Sequence, residues 1–126
     1  GLDFETIECP RRILSCLDTA DRNGVFLLDS VTALLQNEIF PPEKNYALDL
    51  PAADRCAREL LEFVRSVRSA VLVSDYIFSD AEMYDPMTEQ YRRALAGIDR
   101  MLARECDTVV ELAAGRRIVH KGVLPF

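Results

Sequence analysis

The chain has 126 residues, and its 21 acidic and 15 basic side chains give a formal net charge of −6, which suits one modest domain. A hydrophobic fraction of 49% excludes a disordered chain. The acidic balance argues against a nucleic-acid binder, because such proteins concentrate basic side chains against the phosphate backbone. Residues 1–10 lack the basic start and apolar run of a signal peptide, and no membrane-length apolar run occurs, so we expect a cytoplasmic protein.

The first third of the chain predicts two strands and two helices. Phe4 to Glu8 alternates well enough for a short strand, and a helix-like stretch runs from Pro10 to Leu17. The apolar run Val25 to Leu28 closes on Asp29 and has the pattern of a strand buried on both faces. Ser30 is the predicted N-cap of the next helix. That helix has an apolar stripe at helical spacing, formed by Val31, Leu34, Leu35 and Ile39, and ends at Pro41 and Pro42.

The middle of the chain predicts a long helix, a second buried strand and a loop. The helix runs from Pro51 to about Ser69, with Cys56, Leu60, Val64 and Val67 on its buried face. The strand Ala70 to Val73 follows and ends in Ser74 and Asp75. Residues 76–84 are the predicted loop.

The last third predicts a helix and two strands. Asp85 is a plausible N-cap with Pro86 in the first turn, and the helix extends to about Glu105. Its apolar stripe consists of Tyr91, Leu95, Ile98 and Leu102. Thr108 to Leu112 and Ile118 to His120 are predicted as strands around a turn at residues 114–116.

This alternation of apolar strands with amphipathic helices predicts an α/β fold. A parallel sheet covered by helices on both faces is the arrangement that gives strands such continuous apolar runs. No linker, repeat or low-complexity stretch divides the sequence, so residues 1–126 are interpreted as a single α/β domain.

Ligands of open α/β sheets bind beyond the carboxyl ends of the strands, so the polar residues there are the first candidates. Asp29 has the position of the aspartate that holds Mg²⁺ in nucleotide enzymes, and Ser74 and Asp75 follow the next strand. The alternative is that such residues only cap helices. The phosphate-binding motif GxxxxGK[ST] does not occur, and neither Lys44 nor Lys121 lies in a glycine-rich loop.

Other reactive side chains give weaker indications. The four cysteines form no CxxC pair and are interpreted as buried free thiols. His120, the only histidine, is interpreted as an exposed strand residue rather than a nucleophile or general base.

Several segments together resemble a known family. FETIECPRRIL, VFLLDSVTALLQNEIF, VLVSDYIFSDAEMYDPMTEQYRRALAGIDRMLARECDTVVELAAG and IVHKG occur in this order. They resemble the C-terminal two-thirds of the bifunctional adenosylcobinamide kinase / adenosylcobinamide-phosphate guanylyltransferases of cobalamin biosynthesis. The most specific parts are the strand ending in Asp29, the helix ending in Asn37 and Glu38, and the VSxxxFSD block that begins at Val73.

The resemblance implies a P-loop NTPase-like (RecA-like), mostly parallel sheet with helices on both faces. It implies an enzyme that phosphorylates adenosylcobinamide with ATP or GTP and then transfers GMP through a guanylylated histidine. Asp29 takes the Mg²⁺-associated position. Asn37, Glu38, Ser74 and Asp75 are the candidates on the nucleotide and substrate side.

The sequence also departs from the family pattern. Where the family has Asn-Glu after Val-Ser, this chain has Asp75 and Tyr76, and Asp99 falls where the family has asparagine. The family's P-loop and guanylylated histidine both correspond to positions upstream of Gly1, and His120 does not match that histidine. We therefore expect the C-terminal portion of a longer P-loop domain, without its N-terminal βαβ unit and catalytically incomplete alone.

Two expectations about partners follow. A sheet without its central strand should expose edges and apolar surface, so we expect a homo-oligomer or association through a sheet edge. The alternative function is a non-catalytic α/β interaction or scaffold module that keeps the fold without the chemistry.

Overall fold

A computed structural model of the chain describes residues 5–75, 86–113 and 115–122. A 3-10 helix, Ile13–Asp18, precedes strand β1, Val25–Asp29, and helix α1, Val31–Ile39. A short 3-10 turn, Pro42–Lys44, leads to the 17-residue helix α2, Leu50–Ser66, and then to strand β2, Ser69–Val73.

The C-terminal part contains one helix and a hairpin. Helix α3 spans Pro86–Glu105, and strands β3, Val109–Ala113, and β4, Arg116–Lys121, follow it. The predicted loop at residues 76–84 and the predicted cap Asp85 lie outside the described residues. The three predicted helices that follow β1 are confirmed as α1, α2 and α3. Helix α2 ends three residues before the predicted Ser69, because that residue already belongs to β2.

The described strands form two separate pairs. Strands β1 and β2 run parallel, with Leu27 opposite Val71 and Asp29 opposite Val73. Strands β3 and β4 are antiparallel. The protein is therefore a mixed α/β structure with a small parallel sheet, and within the described ranges each sheet has two strands.

The core lies between the parallel sheet and the three helices. The predicted stripes of α1 and α3 are buried in full, and α2 contributes Cys56, Leu60 and Phe63. Phe26 and Leu28 of β1 pack against this cluster, and the Phe26 ring meets Phe63 edge-on at 5.4 Å between centroids. The 3.6-residue spacing of the apolar residues thus places the helices correctly on one face of the sheet.

The opposite face of the sheet corrects the prediction of strands buried on both sides. Val25, Leu27 and Val71 are 78%, 65% and 55% exposed. Apolar composition does not decide what covers a strand, and among the described residues no helix packs on this side.

The predicted first strand is also wrong in its described part, since residues 5–8 form no strand; Phe4 lies outside the described residues. Alternation alone cannot supply a neighbouring strand to receive the backbone hydrogen bonds, and the described partner of β1 is β2. The predicted helix from Pro10 to Leu17 is shorter and is a 3-10 helix. No described helix is both long and apolar enough to span a bilayer.

Candidate functional site

The carboxyl end of β1 carries an exposed aspartate. Asp29 is the last residue of the strand, and Ser30 follows as the N-cap of α1, its Oγ accepting a hydrogen bond from the Ala33 amide at 3.1 Å. Ser30 is therefore the N-cap, as predicted, and the Asp29 carboxylate is not used to cap the helix. Among the described residues Asp29 has neither a hydrogen bond nor an ion pair through its side chain.

A cavity of about 490 Å³ opens beside this aspartate. Asp29 and Asn37 both line it, so the structure brings these two predicted site residues to one space. The other walls come from β1, α1, Phe63 of α2 and the segment before the 3-10 helix, including Glu8 and Cys9. Asn37 Nδ2 donates to the Pro10 carbonyl at 3.1 Å, which ties that segment to α1.

Ser74 and Asp75 lie at the carboxyl end of the neighbouring strand. Ser74 Oγ donates to Asp99 Oδ1 of α3 at 2.7 Å. The Asp75 amide donates to Thr32 Oγ1 of α1 at 2.8 Å, and the same hydroxyl donates to the Asp75 carbonyl at 3.3 Å. The end of β2 is thereby held from two helices, and the Ser74 hydroxyl is already paired.

Burial shifts the pKa of two groups in this network. The pKa of Asp99 is raised because burial penalises its charged form, although the Ser74 hydrogen bond opposes the shift. Burial, with a smaller contribution from the Asp75 charge, raises the pKa of Tyr91 to about 12. The Tyr91 hydroxyl therefore stays protonated, and it donates a hydrogen bond to the Thr32 carbonyl at 2.9 Å.

Glu38, the fourth nucleotide-side candidate, lies in a buried charge cluster instead. Its side chain is 1% exposed and accepts from the Arg12 amide at 2.6 Å and from Arg55 Nη2 at 2.5 Å. Glu59, also buried, accepts from Arg12 Nε at 2.6 Å. Glu38 does not line the 490 Å³ cavity, so in this arrangement it holds the 9–12 segment against α1 and α2.

Sequence reasoning missed Thr32 and Tyr91 as parts of this region. A threonine in the first turn of a helix carries no distinctive pattern, and Tyr91 stood out only as a core residue. Asp99 did give a signal, since it replaces a family asparagine.

The prediction for His120 is confirmed, and that of four buried free thiols is confirmed for Cys16 and Cys56 but not for the burial of Cys9 and Cys106. His120 is exposed on β4, with its Nε2 atom 2.9 Å from Glu111 Oε1. All four cysteines are free; Cys16 and Cys56 are buried, and Cys9 and Cys106 are half-buried.

The residues at the strand ends fit a Mg²⁺ ion that is anchored by a single carboxylate. No group of three or more metal-ligating side chains occurs in the part of the chain that the structure describes. Mg²⁺ characteristically binds one or two carboxylates and completes its shell with water and substrate phosphates, so the free Asp29 carboxylate is a suitable anchor.

Comparison with known proteins decides the family. The profile of the cobinamide kinase / cobinamide phosphate guanyltransferase family matches residues 1–119. The chain belongs to this family. Its members function in cobalamin biosynthesis and use GTP or ATP. The match confirms the resemblance found in the sequence. Searches of curated proteins and of solved structures each found no match.

Proposed function

We propose that this chain contributes the metal-associated half of a nucleotide site that serves phosphoryl and guanylyl transfer to a cobinamide. The observation that carries the proposal is the free Asp29 carboxylate, at the carboxyl end of a parallel strand and on the wall of a 490 Å³ cavity. Family membership supplies the substrate class, a corrinoid together with GTP or ATP.

In this proposal Asp29 holds Mg²⁺, and Asn37 faces the same cavity from α1. The ion supplies charge neutralisation at the nucleotide phosphates when it is bound. Ser74 and Asp75 shape the neighbouring strand end, since the Ser74 hydroxyl already donates to Asp99 and the Asp75 amide already donates to Thr32. The Asp75 carboxylate adds negative charge near the triphosphate, which opposes nucleotide binding unless a cation offsets it.

The phosphate-binding loop is proposed to come from polypeptide outside these 126 residues. The sequence has no GxxxxGK[ST] motif, and neither lysine is placed to contact phosphates at the Asp29 cavity. Lys44 pairs with Asp49, while Lys121 binds the end of α3. Within the described residues each strand of the parallel pair has one unpaired edge, which supports the proposal of a larger, RecA-like parallel sheet.

Calorimetry tests whether the phosphate-binding loop comes from polypeptide outside these 126 residues. Titration of the 126-residue chain with Mg²⁺ and GTP should give no binding tighter than the millimolar range. Addition of a separately produced polypeptide that carries a family P-loop unit should give Mg²⁺-dependent binding. Micromolar binding by the chain alone would contradict the proposal that the loop is supplied from elsewhere.

A non-catalytic interaction module is the second candidate. Two observations favour it. Glu38 is already paired with Arg55 and Ser74 with Asp99, and the parallel sheet has an exposed apolar face. The two functions differ in their dependence on Asp29. Binding of a protein partner through that face should survive Asp29→Asn, whereas Mg²⁺-dependent nucleotide turnover should not.

A further inference from the structure

We propose that Thr32 is a positioning residue that fixes the end of β2 relative to Asp29. This inference rests on the proposed function, because it assigns Thr32 a role in that same nucleotide site. Thr32 lies three residues after Asp29, in the first turn of α1, and its hydroxyl makes both hydrogen bonds to the Asp75 backbone.

The helix that carries Thr32 is rigidly seated. Val31 and Leu35 are fully buried, and Leu34 is nearly so. Because buried side chains of a close-packed core do not shift freely, the Thr32 hydroxyl is a fixed point relative to the β1 end. The Asp75 backbone is bound to that point by its amide at 2.8 Å and by its carbonyl at 3.3 Å.

Tyr91 reinforces the same point from α3. Its hydroxyl donates to the Thr32 carbonyl, and its ring is buried against the core beside Phe40. Ser74 is bound to α3 through Asp99, so the two residues after β2 are each bound to a different helix. This two-sided attachment sets the distance between the two strand ends, where Asp29 and Asp75 lie.

Loss of the two hydrogen bonds between Thr32 and Asp75 should reduce the catalytic rate. A strand end displaced by about 1 Å can reduce the rate about a hundredfold even when no contact to substrate is removed. We therefore expect Thr32→Val, which keeps the branched shape and removes the hydroxyl, to reduce kcat/KM for Mg²⁺–GTP at least about tenfold. Thr32→Ser, which keeps the hydroxyl, should restore kcat/KM to within about threefold of the unsubstituted protein.

The experiment measures two quantities in the native gene product and its Thr32 variants. Hydrogen exchange at the Asp75 amide should become about five- to tenfold faster in Thr32→Val and stay near the original rate in Thr32→Ser. Steady-state transfer from Mg²⁺–GTP to cobinamide should follow the same order. Thr19→Val is the matched control, since Thr19 is exposed and its hydroxyl has no hydrogen bond to a described residue.

The outcomes separate the two proposals. An unsubstituted protein without any Mg²⁺–GTP turnover would overturn the proposed function and, with it, the catalytic role of Thr32. Normal turnover that Thr32→Val leaves unchanged would overturn the positioning role alone. An unchanged exchange rate at Asp75 in Thr32→Val would overturn it as well.

Discussion

Arg55 donates from Nη2 to the buried carboxylate of Glu38, and this ion pair joins α2 to α1 within the core. The same carboxylate accepts from the Arg12 amide, so a single side chain holds three segments together. Glu38 was predicted on the nucleotide side of the site, beside Asn37. Their separate environments make the two neighbours respond differently to substitution.

Glu38→Ala should destabilise the fold by about 2 kcal/mol, because it removes two hydrogen bonds to a charged acceptor. Arg55 remains partly exposed in the variant, which limits the cost of its unpaired charge. Asn37→Ala is the control, since it loses one hydrogen bond at an exposed position and should cost less than about 1 kcal/mol. Urea unfolding measures both. Equal losses would contradict a structural role specific to Glu38.

The half-buried carboxyl of Asp99 predicts a pH dependence of stability. Its folded-state pKa is raised by burial, so the folded protein binds this proton more tightly than the unfolded chain does. The resulting stabilisation is complete below the unfolded pKa, near about pH 4, and is lost as pH rises through the folded pKa. Asp99→Asn keeps an acceptor for Ser74, so its stability relative to the unsubstituted protein should increase as pH rises above about 4. A difference that stays constant with pH would refute the assignment.

Lys121 joins the β3–β4 hairpin to the end of α3. The Lys121 ammonium donates to the carbonyls of Ala103 and Arg104 at 3.1 and 3.0 Å, where the helix dipole favours a cation. Lys121→Ala should cost about 0.5–1 kcal/mol and speed hydrogen exchange across β3 and β4. Arg117→Ala, at an exposed position of β4, should leave exchange at the Lys121 end unchanged. Equal acceleration by both would show that Lys121 is not the anchor.

The exposed face of the parallel sheet predicts association. Leu27 and Val71 are register partners, and both are largely exposed. Replacing both with threonine keeps side chains that strands accommodate and reduces apolar area. Light scattering should give a mass that rises with concentration for the unsubstituted chain and less so for the double variant. A monomer at every concentration would contradict association through this face.

The sequence predicted the buried faces of α1 and α3 correctly, but it did not predict how the strands are paired and covered. The stripes of α1 and α3 follow from helical periodicity, and every predicted residue in them is buried. The same reasoning failed for β1, because an apolar run such as Val25 to Leu28 reports a preference for burial and not the presence of a covering layer. It failed for residues 5–8, the described part of the predicted first strand, because strand pairing depends on a neighbour distant in the chain.

The candidate site was predictable only in part, and for a similar reason. Asp29 follows from its position after an apolar strand, and Ser74 and Asp75 follow from the next strand end. Ser74 is hydrogen-bonded to Asp99, which lies 25 positions away in the sequence, and Glu38 is paired with Arg55, which lies 17 positions away. Such pairings arise from tertiary packing, which local pattern does not specify.

Asp29 provides the most direct test of the central claim, which is that its free carboxylate anchors the metal of a nucleotide site. The measurement is Mg²⁺-dependent turnover of GTP with cobinamide by the native gene product and by two variants of equal charge change, Asp29→Asn and Asp54→Asn. Asp54 is exposed on α2 and away from the 490 Å³ cavity. We predict a loss of about a hundredfold or more for Asp29→Asn, with unfolding unchanged, and no loss for Asp54→Asn. Undiminished turnover in Asp29→Asn would contradict the account.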